Sequence, residues 1–139
     1  MSAKEPRVRT IMLVDNYPET RLLLKKWLES RGYRLVEAAD GQEALDLAPL
    51  AQPDLILMDL RLPKLNGIAV ARRIRQIPAL KDVAIVALTA LDPARFRAAA
   101  ISVGCIDYLT KPIDLEKLEE ILFRLFRNDA FAAKASPRS

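Results

Sequence analysis

Apolar residues along the chain fall into two alternating rhythms. Short, nearly unbroken runs, "RTIMLVD" at 9–15, "YRLVEA" at 33–38, "DLILMD" at 54–59, "VAIVALT" at 83–89 and a brief "DYL" at 107–109, alternate with longer segments in which leucine, isoleucine and alanine recur every three or four residues. Unbroken apolar runs suit strands covered on both faces, and helical spacing suits the amphipathic helices that cover them. The alternation predicts an α/β fold with five parallel strands and five helices.

The first helix is expected to begin after Asn16, with Asn16 or Tyr17 near its cap and Pro18 in the first turn, where a missing N–H is no loss. Helical spacing buries Leu23, Leu24, Trp27 and Leu28, and Gly32 marks the stop. A second helix follows Asp40-Gly41 and is expected to fray at Pro49, a third runs from about Gly67 to Ile77 ahead of Pro78, and a fourth begins near Pro93. The fifth starts close to Asp114 and places Leu115, Leu118, Leu122 and Leu125 on one apolar stripe. Trp27 and these leucines read as core. Residues 1–7 and 128–139 are polar, small or proline-bearing and read as flexible tails around one domain at 8–127.

At 139 residues there is room for one substantial core, and 51% hydrophobic with 29% charged residues is the balance of a globular domain. No apolar run reaches the roughly 18 residues that span a bilayer. The opening "MSAKEPRVR" lacks the apolar core of a signal peptide, so a cytoplasmic protein without a membrane partner is expected. One cysteine, Cys105, cannot form an internal disulfide and reads as a small core residue. The net charge of +4 raises the question of nucleic acid, but the charges are scattered. The densest group, Arg72, Arg73 and Arg75, has no aromatic residues interleaved and reads as a solvated helix face, which argues against a nucleic-acid partner. With no histidine, the chain can neither run histidine acid/base catalysis nor carry a phosphohistidine.

Chemistry collects at the strand ends. In open parallel sheets ligands sit beyond the C-terminal edge, where the strand order reverses. Strand one closes on Asp15-Asn16, strand three on Asp59 and strand four on Thr89, while strand five runs into "TKP" with Lys111. Singly, each has a plain reading; an aspartate ending a strand commonly accepts turn hydrogen bonds. Together, an acidic pair, a hydroxyl and an ammonium at one mouth form a phosphoryl and metal site. A hard cation such as Mg²⁺ takes carboxylate and carbonyl oxygens, a carboxylate can attack phosphorus, and lysine and threonine can neutralise and hydrogen-bond the transferring oxygens.

These residues and their spacing resemble the response-regulator receiver domain of two-component signalling, over roughly residues 8–127. The resemblance implies a doubly wound, flavodoxin-like sheet of strand order 2-1-3-4-5. It implies that Asp59 in "LILMDLRLP" is the phosphoacceptor, that Thr89 and Lys111 stabilise the phosphoryl group, and that Mg²⁺ is held by Asp15, Asn16, Asp59 and the main-chain carbonyl of Arg61. Tyr108 matches the switch aromatic that turns inward as Thr89 moves, and Pro112 the proline of a cis Lys111-Pro112 bond. The pattern departs at Asn16, where the family usually has a second acidic residue; an amide oxygen can ligate a hard cation, but with one negative charge fewer. The expected function is a stand-alone receiver phosphorylated on Asp59 by a sensor histidine kinase or a histidine phosphotransfer protein. It would signal by phosphorylation-dependent binding of a downstream protein, through the face of strands four and five with helices four and five. The alternative is a phosphate-independent, receiver-like interaction module, with nucleic acid as one candidate partner. A turnover enzyme such as a flavin protein or a phosphatase shares the sheet but finds little support in these residues.

Overall fold

The structure, a computed structural model, describes residues 8–90 and 93–126, so the tails expected at 1–7 and 128–139 lie outside the described residues. Each apolar run forms a strand: β1 (Thr10–Val14), β2 (Arg34–Ala38), β3 (Leu55–Asp59), β4 (Ala84–Thr89) and β5 (Asp107–Thr110). The helices between and after them are α1 (Pro18–Ser30), α2 (Gly41–Ala51), α3 (Gly67–Arg75), α4 (Pro93–Ser102) and α5 (Leu115–Phe126). All pairings are parallel and the strands lie in the order β2-β1-β3-β4-β5, the doubly wound, flavodoxin-like arrangement.

Alternation along the strands builds two cores. Ile11, Leu13, Leu55, Leu57, Val86 and Leu88 face α1 and α5 and pack with Leu24, Leu28, Leu118, Ile121 and Leu122. Met12, Val14, Ile56, Met58 and Ile85 point the other way, to Ala44 and Ala48 of α2 and Val70, Ala71 and Ile74 of α3. Covering both faces is why the central strands β1, β3 and β4 are apolar at nearly every position rather than at every second one.

Four expectations need correction. Leu23 is 51% exposed. The buried stripe of α1 runs through Leu24 and Leu28, one turn apart, and Leu23 lies about 100° round the helix toward solvent. Helix α2 does not fray at Pro49 but continues to Ala51, where Gln52 adopts a left-handed conformation (φ 47°) and its N–H bonds the carbonyl of Ala48. A proline this close to the end removes a single intrahelical bond. Helix α3 stops at Arg75 rather than Ile77 because Pro78 drives Ile77 into an extended conformation, so Gln76 and Ile77 close the helix with tighter bonds to Arg73 and Ile74. Arg75, finally, is not part of a solvated face. Arg72 and Arg73 are exposed, whereas the Arg75 guanidinium donates to the carbonyls of Val103, Lys81, Val83 and Gly104, tying the end of α3 to the loops before β4 and β5.

Trp27 is half-buried against the α1–α5 core beneath Arg31, and Cys105, a free thiol, is half-buried against the other. Burial pushes the Cys105 thiol up and outweighs the opposing charge of Arg75, so it stays protonated and packs as a small apolar group.

Candidate functional site

Among the described residues only three polar or charged side chains are buried, and all three are strand ends: Asp15 after β1, Asp59 at the end of β3 and Thr89 at the end of β4. Burying two carboxylates is unfavourable unless something compensates. The compensation comes from Lys111, just past β5, whose N–H donates to the carbonyl of Thr89 at 2.9 Å and so extends the β4–β5 register by one residue. Its Nζ lies 2.7 Å from Asp15 Oδ2 and 3.0 Å from Asp59 Oδ2. The Lys111-Pro112 peptide is cis.

Local turns fix both carboxylates. Asp15 Oδ1 accepts from the N–H of Tyr17 at 2.8 Å, and Asp59 Oδ1 from the N–H of Arg61 at 2.9 Å. Both are aspartate turns of the kind expected at strand ends. The plain and the chemical readings therefore hold together: one oxygen of each residue serves the turn and the other faces the cleft. The Asp15 main-chain carbonyl accepts from Arg21 Nη1 at 2.7 Å, and Arg21 pairs with Glu37 of β2 at 3.3 Å.

Two carboxylates against one ammonium leave the cluster one negative charge in excess. Burial lowers the Lys111 pKa, but contact with Asp15 and Asp59 and their attraction outweigh it, and the net shift is upward. Lys111 is thus a fixed cation at neutral pH. Asp15 Oδ2 touches the ammonium as a charge contact; this wholly buried oxygen has no donor in hydrogen-bond geometry. Asn16 and Arg61 line an open cleft of about 430 Å³ with Leu60, Leu62, Pro63 and Asn66. No group of three or more His, Cys, Asp or Glu side chains is placed to hold a metal ion among the described residues. The donors here are instead two carboxylates, an amide and a main-chain carbonyl, all hard oxygens, with residual negative charge, and that set fits a small divalent cation.

Tyr108 is not brought to this cluster. It is 39% exposed and lines a separate cavity of about 370 Å³ under α4, with Lys117 Nζ 4.3 Å from its ring centroid. Thr89 is a wall of the same cavity. Two residues at the site escaped the sequence reading as site residues. Tyr17, expected only as a helix cap, places its ring centroid 5.0 Å from Lys111 Nζ, and Arg21 holds the Asp15 main chain. Tyr17 could have been suspected from its place beside Asp15-Asn16; nothing in the sequence distinguishes Arg21 from other helix arginines.

Known proteins share this family and this fold. The family model of the response regulator receiver domain matches residues 11–123. Curated relatives include the DNA-binding dual master transcriptional regulator RpaA of Synechocystis, 38% identical over 78% of this chain and 45% of its own length. The alkaline phosphatase synthesis transcriptional regulatory protein PhoP of Bacillus subtilis is 35% identical over 92% of this chain and 52% of its own. The chain spans about half the length of these relatives. Among solved structures, chemotaxis protein CheY4 of Vibrio cholerae superposes with a TM-score of 0.81 at 28% identity, covering 86% of this chain and 99% of that one. The receiver domain of a Pseudomonas aeruginosa sensor histidine kinase, solved with a magnesium ion in its active-site cleft, gives 0.79 at 36% identity, covering 87% and 99%. The argument from scattered charge against a nucleic-acid partner gains no support from relatives that are transcriptional regulators. No helix among the described residues is long and apolar enough to cross a membrane.

Proposed function

The chain belongs to the response-regulator receiver family, and we propose that it accepts a phosphoryl group on Asp59 from a phosphohistidine, a residue type these 139 residues do not contain. The observation that carries the reading is the Lys111 ammonium held between Asp15 Oδ2 and Asp59 Oδ2 at the mouth of the sheet. In the transfer, a carboxylate oxygen of Asp59 forms a bond to phosphorus as the phosphorus–nitrogen bond of the donor breaks, and the electron pair returns to the donor nitrogen. Arg61 N–H keeps Asp59 Oδ1 in place, so Oδ2 is the oxygen presented to the cleft. Lys111 offsets negative charge on the transferring oxygens, and the Thr89 hydroxyl donates to one of them.

Asp15 Oδ2, the Asn16 amide oxygen, Asp59 and the Arg61 carbonyl would hold Mg²⁺, with Asn16 weakening the site. When bound, such an ion would supply further positive charge to the transferring oxygens. Thr89 and Tyr108, walls of one cavity, form the switch: movement of Thr89 toward the phosphoryl group vacates space for the Tyr108 ring and alters the α4–β5–α5 face that a downstream protein binds. A sensor histidine kinase or histidine phosphotransfer protein is the donor.

The test is intact-mass measurement after incubation with acetyl phosphate and Mg²⁺. One added phosphoryl group, sensitive to hydroxylamine and absent in Asp59→Asn, is expected. The charge lost at Asn16 favours a second reading, a phosphate-independent interaction module, and an unlabelled protein that still binds its partner would establish it.

A further inference from the structure

The Lys111 ammonium has three N–H groups, and its surroundings present three partners. Two are the carboxylate oxygens of Asp15 and Asp59; the third is the face of the Tyr17 ring, whose centroid lies 5.0 Å from Nζ. That separation is within the range over which a cation is attracted by an aromatic face. The ring is itself well placed, because the Tyr17 N–H donates to Asp15 Oδ1 at 2.8 Å and Pro18 begins α1 immediately after it. One residue thus fixes the orientation of Asp15 through its backbone and the seat of Lys111 through its side chain. Yet Tyr17 is 56% exposed and lies outside both hydrophobic cores. An aromatic residue so exposed adds little to folding, which leaves its contacts with two site residues as its notable feature.

We propose that Tyr17 is a positioning residue for phosphoryl transfer: its ring face closes the third side of the Lys111 ammonium and holds it where the transferring oxygens arrive. This rests on the phosphoacceptor reading of Asp59. A lysine stem has four rotatable bonds, and two carboxylate contacts alone leave its head free to swing about the line that joins the two oxygens. As the phosphoryl group forms on Asp59 its negative oxygens replace the carboxylate as partners of Lys111, and during that exchange the ring is the wall that keeps the ammonium from swinging to solvent. The ring is needed and the hydroxyl is not.

The experiment compares wild type, Tyr17→Leu and Tyr17→Phe by intact-mass time courses over a range of acetyl phosphate concentrations with Mg²⁺, and by proton NMR of the Lys111 side chain. Tyr17→Leu is expected to take up phosphoryl about three- to tenfold more slowly at saturating donor, with half-saturation moved by less than about twofold. Tyr17→Phe should restore the wild-type rate. The Lys111 ε-methylene protons should show an upfield ring-current shift in wild type and Tyr17→Phe and lose it in Tyr17→Leu. Equal rates for wild type and Tyr17→Leu, a phenylalanine variant as slow as leucine, or ε-methylene shifts unchanged across all three would overturn the proposal. If wild type takes up no phosphoryl group, the phosphoacceptor reading fails; the ring-current comparison still decides whether Tyr17 holds Lys111.

Discussion

Gly67 packs directly against the main-chain carbonyl of Asp59. A methyl group built on Gly67 would overlap that oxygen and come within 2.8 Å of the Leu60 Cα, and the Gly67 N–H bonds the Leu60 carbonyl at 3.2 Å. The obstacle is backbone, which cannot rotate away as a side-chain end can. Gly67→Ala is therefore expected to destabilise the fold by about 1–3 kcal/mol through overpacking and to displace the β3 end that carries Asp59. Urea unfolding measures the first effect and phosphoryl uptake the second. A variant as stable as the parent would mean that α3 shifts freely against β3.

Arg75 gives a second prediction. Its guanidinium satisfies carbonyls of Lys81 and Val83 in the loop before β4 and of Val103 and Gly104 in the loop before β5, and Val103 is itself buried. Arg75→Met should destabilise by about 2–3 kcal/mol, since hydrogen bonds from a charged donor are stronger than neutral ones and the acceptors lose their partner. Arg75→Lys should recover only part, because a single ammonium cannot reproduce the planar fork. Full recovery by lysine would reduce the strap to a simple charge effect.

Asp107 at the start of β5 sets a pH dependence. Burial pushes its carboxyl up, but the Tyr108 N–H, the Arg124 guanidinium at 2.9 Å and the Lys117 charge together outweigh that and bring it below the usual carboxylate value. A folded-state pKa below the unfolded one adds stability that is present above the unfolded value of 3.8 and is lost as pH falls through the lowered folded value. Wild type should melt above Asp107→Asn at neutral pH, and the gap should narrow as the solution is acidified below about pH 4. Parallel melting curves across that range would show that the three contacts do not act on Asp107 in solution.

The sheet was legible because its signal is redundant. The three central strands β1, β3 and β4 are apolar on both faces, and each helix needs only one face to be recognised, so the five βα units and the polar strand ends followed from pattern. What was not legible depended on contacts between distant segments. Leu22, Leu23 and Leu24 are adjacent and equally apolar, and which of them faces the core is a rotation of α1 that only packing against β1 and α5 decides. Arg75 looked like its neighbours Arg72 and Arg73 until the loops before β4 and β5 came to it. The candidate site divides the same way. Asp15, Asp59, Thr89 and Lys111 could be read because strand ends converge by topology, whereas the ring of Tyr17 above Lys111 is a rotamer, and no pattern encodes it.

Asn16 yields the last prediction, in which two opposing electrostatic effects must be weighed. Asn16→Asp would add a unit charge at the cleft that Asn16 shares with Arg61, next in the chain to Asp15 and across from the loop that follows Asp59. A unit charge about 4 Å from another is worth roughly 4 kcal/mol at an effective dielectric near 20, and a divalent ion doubles that attraction. Most of this is cancelled. The new carboxylate loses water on binding the ion and repels the two aspartates, and residue 16 is exposed, so solvent screens it further. A net gain of about 1 kcal/mol, or roughly a five- to tenfold tighter Mg²⁺ dissociation constant, is the expected remainder. Without metal the sign reverses. Lys111 is already shared between Asp15 and Asp59 and has no third oxygen contact to offer, so a third carboxylate in the cleft is uncompensated. Metal-free Asn16→Asp should melt below the parent, and saturating Mg²⁺ should recover the loss, because an ion that binds only the native state stabilises it by mass action. Calorimetric titration with Mg²⁺ and thermal melts in chelator and in excess metal check both halves. Equal affinity and equal melting for the two proteins would show that residue 16 does not face the cation.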